Sequence, residues 1–108
     1  MRRIFGQMIY LKPDGAVEYI RLHSMVWPGV TQMISACNIH NYSIFVKDLT
    51  LFAYFEYEGN DFESDMEKMA SDPETQRWWS VVKPLMEPSE SRNAGEFWAD
   101  MDKIFHLD

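Results

Sequence analysis

From residue 3 to residue 11 the chain reads RIFGQMIYL, and its side-chain alternation predicts a strand. Phe5, Ile9 and Leu11 fall on one face, and Ile4, Met8 and Tyr10 on the other. Pro13-Asp14-Gly15 then breaks the pattern. Residues 14–24 carry apolar side chains at helical spacing. At about 100° per residue, Ala16, Val17, Tyr19, Ile20 and His23 fall within one broad face, with Glu18 and Arg21 opposite. Trp27-Pro28-Gly29 interrupts the chain, and Pro28 suits the first turn of a second helix running to Ala36. Residues 39–47, IHNYSIFVK, and 50–58, TLFAYFEYE, predict two strands joined by a hairpin turn at Asp48-Leu49. In the first, His40, Tyr42, Ile44 and Val46 share a face. In the second, Leu51, Ala53, Phe55 and Tyr57 alternate with Phe52, Tyr54, Glu56 and Glu58. A third helix is expected over residues 61–71, capped by Asn60 or Asp61, with Phe62, Met66, Met69 and Ala70 as its stripe. Asp72-Pro73 starts a fourth, which carries Trp78, Trp79, Val82, Leu85 and Met86 and is kinked or ended by Pro84. Residues 87–96 read as a loop, and residues 101–107, MDKIFHL, as a last strand.

The order strand, helix, strand, strand, helix, strand predicts an α+β fold: a ferredoxin-like antiparallel sheet with helices on one face. Helices on one side leave the other sheet face bare, yet the strands are apolar on both faces. A second copy of the chain is the simplest cover, so a homodimer with packed sheets is expected.

A length of 108 residues fits a single domain spanning 1–108. Ten Lys and Arg against 17 Asp and Glu give a net charge of -7, which argues against nucleic acid and against anionic membranes as partners. No apolar run approaches the ~20 residues of a membrane span. The apolar stretch after Met1-Arg2-Arg3 is interrupted by Gln7, Lys12 and Asp14, unlike a signal peptide. The single cysteine, Cys37, rules out an internal disulfide and suits a cytoplasmic home, where it is expected to serve as a small buried hydrophobe. Aromatic residues make up 15% of the chain, more rings than packing a small domain asks for.

The sequence lacks the nucleophile-elbow, phosphate-loop, dinucleotide and metalloprotease motifs. His23, His40 and His106 match no metal-ligand spacing, so no metal is expected. The informative set is Tyr19, His23, Tyr42, Trp78 and Trp79. His23 lies one turn from Tyr19 on the inward helix face, where a ring with pKa near ~6.5 trades protons at neutral pH. Trp78 and Trp79 lie about 100° apart on a helix, so at least one indole must line an edge or a cavity. Aromatic faces with a few hydroxyl and N–H donors suit a sugar.

These residues carry a resemblance to the L-rhamnose mutarotase family. The matching pieces are Glu18-Tyr19 followed by His23, Trp27-Pro28, His40-Asn41-Tyr42-Ser43-Ile44, Asp72-Pro73 followed by Gln76-Arg77-Trp78-Trp79, and Ile104-Phe105 with Leu107. They run in order along nearly the whole chain. The resemblance implies a dimeric α+β barrel and exchange of the α and β anomers of L-rhamnopyranose, or of a related deoxy sugar, without metal or cofactor. It maps the proton donor onto His23 and the sugar contacts onto Tyr19, Tyr42, Trp78 and Trp79. The family commonly reads Trp-Pro-Glu where this chain has Gly29 after Trp27-Pro28. Phe97 and Trp98 are bulkier than expected and would close over a pocket or cover the partner chain.

Mutarotation needs a base at the anomeric hydroxyl and an acid at the ring oxygen, each positioned transfer contributing ~10²–10⁴-fold. His23 is the expected acid; Tyr42, Tyr19 or a bound water takes the second proton. Two rivals use the same residues. One is a small monooxygenase, cofactor-free or haem-linked, on the same barrel, and the other a non-catalytic ligand-binding module.

Overall fold

Strand β1, Arg3–Leu11, lies at the centre of one antiparallel sheet in the structure, a computed structural model that describes residues 2–108. It pairs along its whole length with β3, Thr50–Tyr57, from Arg3 opposite Tyr57 to Tyr10 opposite Thr50. β2, Ile39–Lys47, pairs with the far side of β3 across a tight turn in which Asp48 has φ 54°. The other edge of β1 is shared by two short strands. β4, Met86–Glu87, meets Tyr10 and Leu11, and β5, Ala99–Met101, meets Gly6, Gln7 and Met8. The order β2-β3-β1-β4 is the expected ferredoxin-like sheet.

Two helices cross between β1 and β2: α1, Ala16–His23, and α2, Pro28–Ala36. Two more follow β3: α3, Phe62–Ala70, and α4, Pro73–Val82. Their starts follow from capping chemistry. Asp61, not Asn60, caps α3 by accepting from the Ser64 amide at 3.1 Å, and Asp72 caps α4 by accepting from the Thr75 amide at 3.0 Å. Pro28 and Pro73 occupy first-turn positions, where a missing amide proton is harmless. Pro84 ends the regular helix, and Lys83–Leu85 tightens into a 3₁₀ turn that leads into β4. Met86, expected on the helix, is therefore the buried first residue of a strand.

The core sits between the helices and one face of the sheet. Ile9, Leu11, Leu51, Ala53, Phe55 and Tyr57 point inward there, and Tyr19, Val30, Trp78 and Val82 meet them from the helices. Burying each large apolar side chain contributes about 1.5–3 kcal/mol. Cys37 is fully buried beside Met33, as expected of a small hydrophobe.

Three expectations are corrected. The first concerns the α1 face. Val17 is 82% exposed and Ile20 50% exposed, while Leu22 is half-buried against the core. With Tyr19 at the centre of the buried stripe, Val17 lies about 160° away and Leu22 only about 60° away at helical spacing. The second is the face shared by His40 with Tyr42. A bulge between His40 and Ser43 places one extra residue in β2, with Asn41 in the left-handed region at φ 51°. Ile39 therefore lies opposite the inward Tyr57, and His40 opposite Glu56 on the other pleat. The third is the last strand. It covers Ala99–Met101 rather than residues 101–107. Beyond it the chain turns charged at Asp102-Lys103, and Ile104, Phe105 and Leu107 stand 95%, 78% and 80% exposed.

Candidate active site

A cavity of about 780 Å³ opens between the helices and the inner face of the sheet. All five residues singled out from the sequence line it: Tyr19 and His23 from α1, Tyr42 from β2, and Trp78 and Trp79 from α4. The β2 bulge is what turns Tyr42 inward, where its ring sits 5.4 Å from Phe55. The bulge is held from outside by Asn41, whose Nδ2 donates to Glu56 Oε1 at 3.1 Å.

His23 is fixed from three sides. Its ring stacks on Tyr19 at 4.1 Å and meets Trp78 edge-on at 5.2 Å. Trp78 in turn packs edge-on against Trp27 at 5.1 Å. His23 Nδ1 lies 2.8 Å from the carbonyl oxygen of Tyr19. A carbonyl can only accept, so Nδ1 carries the proton and donates it, leaving Nε2 as the bare nitrogen. Burial holds the His23 pKa below its ordinary 6.5, against the opposing pull of the Tyr19 carbonyl. The imidazole is thus neutral at pH 7, with a basic Nε2.

The two tyrosines shift in the opposite direction to His23. Burial pushes the Tyr19 phenol far above its ordinary value, with a smaller contribution from nearby Tyr42. Burial likewise pushes the Tyr42 hydroxyl up to about 12, although the residue as a whole is 38% exposed. Both phenols stay protonated at neutral pH and act as hydrogen-bond donors, not bases.

Of the other two histidines, His40, exposed near the start of β2, also borders the cavity, and His106 does not. His40 is paired across from Glu56, and His106 sits in the C-terminal segment, 2.7 Å from Asp108. Among the described residues no three His, Cys, Asp or Glu side chains gather as a metal site would require. Phe97 and Trp98 both line the cavity, as one of their two expected roles proposed. Sequence reading missed Asn41 and Lys83. Lys83 was detectable: it follows Trp79 by one helical turn, the spacing at which side chains meet. Among the described residues no helix is long and apolar enough to cross a membrane.

Comparison with known proteins places the chain. A family model for L-rhamnose mutarotase matches residues 4–107. An L-rhamnose mutarotase of Lactiplantibacillus plantarum is 32% identical over 105 residues, covering 95% of this chain and 96% of the relative. Those of Bacillus subtilis and Opitutus terrae are 33% identical over 105 residues and 39% identical over 93, with 95% and 84% of this chain covered and 96% and 85% of the relatives. The crystal structure of an L-rhamnose mutarotase from Formosa agariphila superposes with a TM-score of 0.76 at 18% identity, covering 98% of this chain and 99% of the other, and so shares its fold. Matched over almost its whole length by the family model and by relatives above 30% identity, the chain belongs to the L-rhamnose mutarotase family.

Proposed function

We infer that this chain interconverts the α and β anomers of L-rhamnopyranose and that His23 carries the proton. One observation bears most of the weight: a neutral imidazole, held by the Tyr19 carbonyl with Nε2 bare, in the wall of an aromatic cavity. Nε2 takes the proton of the anomeric hydroxyl. The bond from the anomeric carbon to the ring oxygen breaks as the aldehyde carbonyl forms. The imidazolium then passes its proton to the ring oxygen, which makes His23 the acid of that half-step. Both oxygens are bonded to the same carbon, so one nitrogen serves both. Rotation about the first C–C bond presents the other carbonyl face, and closure reverses the transfers. Protons and charges balance without a covalent intermediate or cofactor. Tyr19 and Tyr42, protonated and close together, supply donors to the oxygen that becomes negative during opening. Trp78 and Trp79 offer flat apolar faces to the sugar C–H face and its methyl group.

The family match favours anomer exchange over the oxygenase and ligand-sensor readings of the same barrel. The far face of the sheet supports a homodimer. Tyr10, Phe45 and Phe52 are 41%, 59% and 38% exposed there, with Phe45 and Phe52 6.2 Å apart. A buried, unpaired Cys37 suits a reducing compartment such as the cytoplasm.

Saturation-transfer NMR on rhamnose, fucose, mannose and galactose tests the reading. Rhamnose should exchange anomers well above its rate in buffer, ahead of the hydroxymethyl sugars mannose and galactose. Rhamnose exchange at the buffer rate would overturn it.

A further inference from the structure

We propose that Lys83 is a positioning residue for sugar binding, clamping the Trp79 indole to Phe97 so that the two rings form one fixed wall of the cavity. The proposal rests on the reading that Trp79 holds the sugar. Lys83 Nζ lies 4.6 Å from the centre of the Trp79 ring and 5.0 Å from that of Phe97. Both distances fall within the range at which a ring face attracts a cation. Among the described residues Lys83 has no carboxylate within salt-bridge distance. It is the one Lys, Arg, Asp or Glu in the cavity wall. It also sits at the C-terminal end of α4, where a cation is favoured.

The clamp adds a polar link between two parts of the chain that otherwise meet through apolar packing, Phe97, Trp98 and Trp79 all lying against the core cluster that holds Trp78 and Val82. Trp79 belongs to α4. Phe97 belongs to the connection between β4 and β5, whose hydrogen bonds run between Ser89 and Asp100: Arg92 to the Ser89 carbonyl, and the Asn93 and Asp100 amides to Glu96. Those bonds shape the connection but do not fasten it to the helix. The ammonium over both rings adds to the apolar packing of Phe97 on the core and fixes where that ring stands against Trp79. With the clamp released, the Trp79 and Phe97 rings keep their apolar packing but are less firmly placed against one another, and the sugar must order them on binding. That cost falls on ground state and transition state alike, so it appears in KM and not in kcat.

Anomer-exchange NMR across rhamnose concentrations, with the full chain, tests this. Lys83→Met keeps the apolar stem and removes the charge; it should raise KM about two- to fivefold and leave kcat within about twofold. Lys83→Arg keeps a cation over the rings and should return KM to the wild-type value. Phe97→Ala should raise KM similarly, and Lys83→Met should add little on top of it. A KM unmoved in Lys83→Met, a rise that Arg does not reverse, or a loss confined to kcat overturns the clamp. Trp79→Ala separates the two levels. If it raises KM while Lys83→Met does not, the clamp fails alone; if it leaves KM unmoved, the sugar-holding role of Trp79 fails and the clamp with it.

Discussion

Phe5, Phe55 and Phe62 stack at 4.6 and 5.0 Å, with the Arg3 guanidinium 4.8 Å from two of the rings, and fill one end of the helix-covered sheet face. On the same face, Tyr19, His23, Tyr42, Trp78 and Trp79 stand around a cavity of about 780 Å³. The difference lies in the edges of the rings. Phenylalanine has no polar atom, so its rings close on one another. Tyr, His and Trp each carry a polar edge that must reach a partner or open space. Among the described residues no buried side-chain nitrogen or oxygen lacks a partner, so the cavity rings meet that demand by facing a hollow. Aromatic content alone does not mark a site; polar-edged rings gathered on one face do.

Removing the half-buried imidazole from the hollow end should have the largest effect. His23→Ala should slow anomer exchange by about 10²–10⁴-fold, the scale of one positioned proton transfer. Thermal melting should change little, since His23 is only half-buried. Exchange within tenfold of wild type would mean that the hollow end works without its histidine. At the filled end the balance should invert. Phe55→Ala opens space beside Phe5 of the closed cluster and behind Tyr42 of the cavity wall, and should cost about 3–5 kcal/mol of stability, read by chemical denaturation. The fraction still folded should keep most of its turnover. A stable Phe55→Ala protein with lost turnover would show that the two ends are not separable.

A pH titration sharpens the same contrast. The working form of His23 is the neutral one, and burial holds its pKa below 6.5. Turnover should therefore be flat from pH 8 down to about 6.5 and fall toward tenfold per pH unit only below the lowered pKa. Stability follows the same sign. The unfolded chain takes up the proton first, so the contribution of this group is complete above its ordinary pKa and is lost as pH falls through the folded value. A midpoint above 6.5 in the acid limb of kcat/KM, which reports the free protein, would contradict the buried, neutral imidazole.

The sequence made this contrast partly legible. Hydrophobic alternation and the Asp72-Pro73 start located every long element, because both signals are local. The five polar-edged rings stood out as residue types and converge in the structure. Four features were hidden, wholly or in part, because they depend on other parts of the chain. The β2 bulge turns on one left-handed Asn41 held by Glu56, which alternation alone misses. The outward turn of Val17 depends on which residue α1 centres on the core. β5 ends at Met101, and the apolar residues after it, which alternation reads as strand, stand exposed and unpaired with the sheet. The place of Lys83 follows from Phe97, fourteen positions further along and brought back by the β4–β5 connection.

The smallest predicted effect lies outside both ends, at Gly29, where the family resemblance leads one to expect Glu after Trp27-Pro28. A Cβ built on Gly29 would fall 2.3 Å from Glu74 Oε2, so the Glu74 carboxylate already occupies the space a side chain there would take. That carboxylate is the far end of a flexible side chain, and its only ion pair is an exposed one to Arg77 at 3.9 Å, among the described residues. Moving it aside therefore costs little. Gly29 lies in the first turn of α2 without a positive φ, so a methyl group there reduces the freedom of the unfolded chain by an amount worth about 0.4–1 kcal/mol. Gly29→Ala should then stabilise the protein by a few tenths of a kcal/mol, and by more in a Glu74→Ala background, where nothing has to move. Neither residue lines the cavity, so anomer exchange should be unchanged. Denaturation of the four proteins of this cycle would show it. Additive effects, or a loss of stability in Gly29→Ala that Glu74→Ala does not relieve, would show that the carboxylate is not the neighbour that decides what position 29 can hold.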